Sequence, residues 1–190
     1  MSERKNNNLI IFAKNRSIEL DEYLLRPLDI NDLVDYHEFT SDEETLKYDY
    51  PAHKTLEESL QMLVVWNLAQ PLGKYGIEQK KTGKIIGNAS LKLSDEGNLC
   101  EIGYTLNKNY WRRGIAYTCI SALIDFAFLN LTIERIIAKV HEENISSITL
   151  LKKLGFRLVE KNKADSLRER EFTELTYSLN KSDYTLINPL

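Results

Sequence analysis

The chain has little of several things. It has two cysteines, Cys100 and Cys119, in no metal-ligand spacing and with no disulfide framework around them, so both read as small buried hydrophobes. Its three histidines, His37, His53 and His141, form no ligand cluster, and no metal is implied. The most apolar stretch, Ile120 to Leu131, is too short to cross a bilayer and carries Asp125, so no membrane partner is expected. Met1 to Asn8 is polar, which argues against a signal peptide and suggests a flexible start. Basic residues number 25 against 28 acidic ones; a net charge of −3 argues against a large nucleic-acid footprint but leaves room for a local phosphate site.

What is present is an ordinary globular composition, 43% hydrophobic and 28% charged over 190 residues, enough for one domain spanning residues 1–190 with a real core. Tyr23 to Arg26 reads as a first core strand closed by Pro27, and Asp29 caps a short helix bearing Leu33 and Tyr36. Thr55 with Glu58 makes a capping box for a helix to about Leu68, with Leu56, Leu60, Leu63 and Val64 as its apolar stripe.

The period then changes to two. Tyr75–Lys80, Lys84–Leu93 and Leu99–Leu106, separated by turns, predict an antiparallel meander. An amphipathic helix from Tyr117 to about Leu129 follows, with Ile120, Leu123, Ile124, Ala127 and Phe128 on one face. Next come a strand over 135–140, a helix over 145–154 ended by Gly155, and two last strands, 156–160 and 171–179. This order predicts an α/β fold: a central mixed, mostly antiparallel sheet with helices on both faces.

The segment from Asn109 to Ala116 lies between a strand and a helix. Gly114 and Ala116 would let an anion approach the backbone, the next helix would offer its unpaired N–H groups, and Arg112 and Arg113 would add charge. A tight turn with exposed arginines is the alternative reading. The segment matches neither a P-loop nor a dinucleotide fingerprint.

With Glu101-Ile102-Gly103-Tyr104 running into Tyr110-Trp111-Arg112-Arg113-Gly114-Ile115-Ala116, and Asn144-x-x-Ser147 followed by Lys153-Leu154-Gly155-Phe156, the chain resembles the GCN5-related N-acetyltransferase superfamily. Within it, the chain is similar to the ribosomal-protein-alanine N-acetyltransferase-like branch. The resemblance implies the acyl-CoA N-acyltransferase fold and transfer of an acetyl group from acetyl-CoA to a primary amine, with a protein N-terminal α-amine as acceptor. A polyamine, an aminoglycoside or another small amine is the alternative acceptor. A non-catalytic acetyl-CoA sensor or interaction protein is the alternative from another class. The resemblance further implies that the strand around Gly103 splays from the strand at Arg135 to Val140, so that Tyr104, Thr105 and Leu106 flank the pantetheine arm. Residues Arg112, Arg113, Gly114, Ile115, Ala116 and Tyr117 would hold the pyrophosphate, and Asn144 would contact the arm near the thioester.

Glu101 is the candidate general base, or else an outward-facing strand glutamate, with Glu169 and Glu171 weaker alternatives. Ser147 is the candidate proton donor to the departing thiolate, or else a helix-start residue. Two positions depart from the wider superfamily: Leu151 replaces the tyrosine that often acts as acid, and Trp111 stands where glutamine or arginine is common. Tyr36, Tyr48, Tyr50, Trp66 and Tyr75 are candidate lining for the acceptor entrance, with ordinary packing the alternative for each. Similar proteins are commonly dimers, and a cytoplasmic location is expected.

Overall fold

The computed structural model describes residues 2–165 and 171–187. Its sheet has eight strands: β1 (Ile18–Glu19), β2 (Tyr23–Arg26), β3 (Lys74–Gln79), β4 (Lys84–Leu93), β5 (Leu99–Leu106), β6 (Arg135–His141), β7 (Arg157–Ala164) and β8 (Phe172–Asn180), in the order β1-β2-β3-β4-β5-β6-β8-β7. All neighbours are antiparallel except β5 and β6, which are parallel. The meander forms as its alternation requires, with a bulge between Ile77 and Glu78 that residue spacing does not reveal.

Helices cover both faces. On one, α4 (Ile115–Asn130) buries the stripe of Ile120, Leu123, Ile124, Ala127 and Phe128 against Cys100, Ile102 and Ile136. On the other, α2 (Leu33–Thr40) and the helix after it enclose Leu28, Tyr36, Phe39, Leu63 and Ile85. The helix α5 (Ile145–Lys153) ends in a Schellman motif: Phe156 N–H bonds Leu151 O, Gly155 N–H bonds Lys152 O, and Gly155 takes φ 88°.

Three expectations need correction. The polar N-terminus is not a frayed segment: residues 3–8 open helix α1 (Glu3–Lys14), capped by Ser2. Buried Asn8 explains why, since its side chain donates to Gly97 O at 2.8 Å and accepts from Thr132 N at 2.8 Å and Thr132 Oγ1 at 3.0 Å. A polar residue with its groups satisfied docks a helix that hydrophobicity alone does not announce.

The stripe on α3 (Leu56–Met62) is also out of phase. After Met62 the chain widens into a π-helical segment, Leu63–Leu68, which rotates the inward face. Leu63 is fully buried, but Leu56 is 45% and Val64 41% exposed. Ser59 takes the inward position, bonded to His37 Nδ1, His53 Nδ1 and Thr40 Oγ1. Finally, residues 181–187 form α6 (Lys181–Ile187), where no element was expected. Tyr184 donates to Asp125 at 2.6 Å, giving the one acid of the apolar helix a partner.

Candidate active site

The parallel pairing of β5 and β6 covers only Leu99–Arg135, Cys100–Ile136 and Glu101–Ile137. Beyond Glu101 the strands diverge, β5 to Leu106 and β6 to His141, each keeping its outer neighbour. The sheet thus opens into a slot, as the resemblance implied. Tyr104, Thr105 and Leu106 line its β5 side, with Tyr104 on the α4 face and Thr105 on the opposite one by strand alternation.

At the open end lies the anion loop. Gly114 is the N-cap of α4 at φ 78° and offers no side chain, so the first-turn N–H groups of Ile115, Ala116 and Tyr117 point into the loop. A Cβ at Gly114 would meet no atom within 4 Å, so this backbone faces open space. Arg112 has φ 58°, a left-handed conformation rare for a side-chain-bearing residue, and Trp111 Nε1 pins the loop to Leu106 O at 2.6 Å. Arg113 lies over the Tyr110 ring and donates to Asn109 O at 2.7 Å. Lys153 reaches over from α5 to sit 4.4 Å from the Tyr117 ring. Ile115 is buried, so only its backbone is available to a ligand.

Asn144 and Ser147 separate into distinct tasks. Asn144 Oδ1 caps α5 by accepting from Ser147 N at 3.1 Å. The Ser147 hydroxyl is left for the slot, where Tyr104 donates to it at 3.1 Å. Burial raises the pKa of Tyr104, and the bond to Ser147 opposes that rise. Leu151 is packed in the core.

Glu101 lies in the still-paired part of β5, on the face opposite buried Cys100. The nearby Lys139 ammonium has its pKa raised mainly by the hydrogen bond and charge of Glu174, and less by Glu101 and Glu160. Glu171 pairs with Lys163 at 3.0 Å, and Glu169 lies outside the described residues. Of the aromatic candidates, Tyr36 and Tyr75 are core residues, and Trp66 is exposed on the π-helical segment. Tyr48 does meet the slot: its ring is 5.1 Å from His141, which in turn stacks on Phe172 at 4.7 Å. Among the described residues no group of three or more His, Cys, Asp or Glu could hold a metal ion.

The site also contains residues that sequence reasoning missed. Asp49, between Tyr48 and Tyr50, accepts from Thr105 Oγ1 at 3.2 Å. It sits in a segment of no periodicity, and only the neighbouring tyrosines hinted at the location. Lys153, in the last turn of α5, also faces the anion loop.

A divided mixed sheet with a helix N-terminus at the mouth of the split is an acyltransferase architecture. The chain belongs to the Acetyltransferase (GNAT) domain family, whose profile matches residues 23–157. It is 33% identical over 138 residues to the uncharacterized N-acetyltransferase p20 of Bacillus licheniformis, covering 70% of this chain and 78% of that protein. In fold it is similar to a GNAT-family acetyltransferase from Bacillus anthracis (TM-score 0.79, 22% identity, 87% of this chain and 99% of that one). It is likewise similar to the ribosomal L7/L12 alpha-N-protein acetyltransferase RimL in complex with coenzyme A (TM-score 0.75, 19% identity, 86% and 97%). Acetyl transfer is therefore the general activity of this chain's class.

Proposed function

We propose that the protein transfers an acetyl group from acetyl-CoA to a primary amine, and that its acceptor is a protein N-terminal α-amine. The observation that carries this reading is the slot between β5 and β6 with an uncapped helix N-terminus at its mouth. The residues suit acetyl-CoA. Open backbone at Gly114, the first-turn N–H groups of α4, and the cations Arg112, Arg113 and Lys153 match a pyrophosphate. The edge of β5 from Tyr104 to Leu106, which pairs with no strand and where Trp111 Nε1 donates to Leu106 O, matches an extended arm bearing amides. The N-terminal acceptor is supported by the branch resemblance and by a fold neighbour that modifies a protein α-amine.

When bound, acetyl-CoA supplies an activated thioester. The chain's part is to hold both substrates in line, which can contribute several kcal/mol, on the order of 7–11 in well-oriented systems. The Ser147 hydroxyl, bonded to Tyr104, is placed to give a proton to the leaving sulfur. Glu101 adds negative charge to the acceptor side of β5, where it attracts an ammonium.

Ser147→Ala is expected to lower turnover roughly 100-fold, the lower end of general acid–base effects. Acetyl-CoA affinity by calorimetry should hardly change, since the cap of α5 comes from Asn144. Turnover equal to wild type would remove Ser147 as the acid.

The reading itself is tested by thiol release from acetyl-CoA with N-terminal peptides, polyamines and aminoglycosides, with product masses determined. Acetylated peptide α-amine is the expected product. Turnover of a small amine alone would change the acceptor class, and cofactor binding without any turnover would indicate a sensor.

A further inference from the structure

We infer that Asp49 is the carboxylate that receives the acceptor ammonium and removes its proton. This rests on the reading of the protein as an amine acetyltransferase.

The loop between α2 and α3 crosses the mouth of the slot. Asp49 is bound to Thr105 on β5 at 3.2 Å, and the adjacent Tyr48 packs on His141 at the end of β6, 5.1 Å between rings. Two consecutive residues therefore touch both diverging strands where the gap is wide. Thr105 belongs to the face opposite Tyr104, so Asp49 and the Tyr104–Ser147 pair approach the slot from opposite sides. A base at the attacking nitrogen and an acid at the leaving sulfur must stand at separate positions around the same carbonyl, and these two groups do.

Asp49 also differs from the other carboxylates around the slot. Glu174 is paired with Lys139, Glu171 with Lys163, and Asp42 and Glu44 with Lys108. Among the described residues no cation lies within ion-pair distance of Asp49. Although the residue is exposed, desolvation is the main influence on its carboxyl and raises its pKa, against the Thr105 hydrogen bond. An accessible acid enclosed by protein is what a cleft produces. Glu101, by contrast, is four residues back along β5, about 13 Å at strand rise, where β5 and β6 are still hydrogen-bonded.

The charged and titratable groups near Asp49 are Tyr50 on its own loop and Tyr104 on β5, both with pKa values raised mainly by burial and less by the Asp49 charge. Beyond Tyr48 lie His141, whose Nδ1 accepts from Glu143 N, and Lys47, which leans on the Tyr48 ring. The stacked rings of Tyr48, His141 and Phe172 close the β6 side of the slot.

The ammonium gives one proton to Asp49, which passes it to solvent. The neutral nitrogen forms the C–N bond as the C–S bond breaks. The sulfur takes a proton from Ser147, replaced from solvent, and the new amide nitrogen loses its surplus proton. The net release is one proton per acetyl group transferred.

Asp49→Asn, Glu101→Gln and Thr105→Val are to be compared with wild type in the full-length protein, using an acetylatable N-terminal peptide. Asp49→Asn should lower kcat/KM about 100-fold at neutral pH and replace the acidic limb set by Asp49 with one that tracks the acceptor's own α-amine, at about pH 8. Its acetyl-CoA affinity by calorimetry should stay within about twofold, since Asp49 touches no part of the anion loop; a tenfold spread would be about 1.4 kcal/mol. An amine that is already neutral at pH 7 should recover most of the loss. Thr105→Val removes a hydrogen bond that favours the ionised carboxyl, so its acidic limb should move to higher pH. Retention of wild-type kcat/KM and acidic limb by Asp49→Asn would overturn the inference, as would loss of that limb in Glu101→Gln instead. If wild type binds acetyl-CoA but acetylates no amine, the functional reading fails and Asp49's role with it.

Discussion

Gly114→Glu is expected to abolish measurable acetyl-CoA binding while leaving the protein folded. At φ 78° the residue occupies left-handed backbone, so any side chain costs about 1–2 kcal/mol. Space is not the obstacle, because a Cβ there meets nothing within 4 Å. A carboxylate at this N-cap would itself be stabilised by the N–H groups of the first turn of α4, by about 0.3–1 kcal/mol. It would therefore fill the anion position and repel a pyrophosphate from it. A loss of at least about 100-fold in affinity is expected, near 2.8 kcal/mol, read by calorimetry. Gly114→Ala carries only the strain and should lose less than about tenfold. Unchanged affinity in Gly114→Glu would mean that the loop does not hold the cofactor's phosphates.

The largest stability effect is expected at Arg26. Its guanidinium binds both oxygens of Asp32 at 2.8 Å, Glu78 at 2.5 Å and Pro27 O at 3.1 Å. Asp32 also accepts from Asp29 N, so one cation joins β2, β3 and the turn into α2. The side chains of Arg26, Asp32 and Glu78 are only 23%, 9% and 17% exposed. Arg26→Ala leaves two largely buried carboxylates without their cation, and breaking a buried pair from one side costs about 3–5 kcal/mol. The lower figure applies because Arg26 keeps some solvent contact, and it corresponds to a Tm drop of about 10 °C. Arg26→Lys keeps the charge but not the bidentate geometry and should fall between the two. A destabilisation below about 1 kcal/mol would show that the network is solvent-screened.

Where local pattern and global packing agree, the sequence was readable. The meander was legible because Tyr75–Leu106 alternates between glycine- and asparagine-bearing turns, and Gly155 marked the end of α5 because the Schellman geometry favours glycine. Helix α1 escaped because its docking depends on Asn8, a polar residue whose partners lie 89 and 124 positions away. The α3 stripe failed because the π-helical turn breaks the 3.6-residue period on which the reading depended. The same distinction holds in the site. The anion loop is contiguous, so its glycine and arginines could be seen together. The Tyr104–Ser147 and Thr105–Asp49 contacts join residues 43 and 56 apart, and nothing local announces either.

The split in the sheet has a further consequence for how the chain avoids its own kind. Unpaired strand edges invite other chains to add to them. Here two of the open edges, those of β5 and β6 past Glu101 and Ile137, face each other inside the molecule. One extended arm can enter between them, whereas a strand of a folded neighbour would have to prise apart three paired residues and displace the Tyr48–Asp49 crossing. The two outer edges are guarded by other means: β1 is only two residues long, and β7 carries a bulge between Leu158 and Glu160 and the charges of Glu160, Lys161 and Lys163. The interruption that makes room for a ligand thereby also spares the protein a third surface open to strand addition.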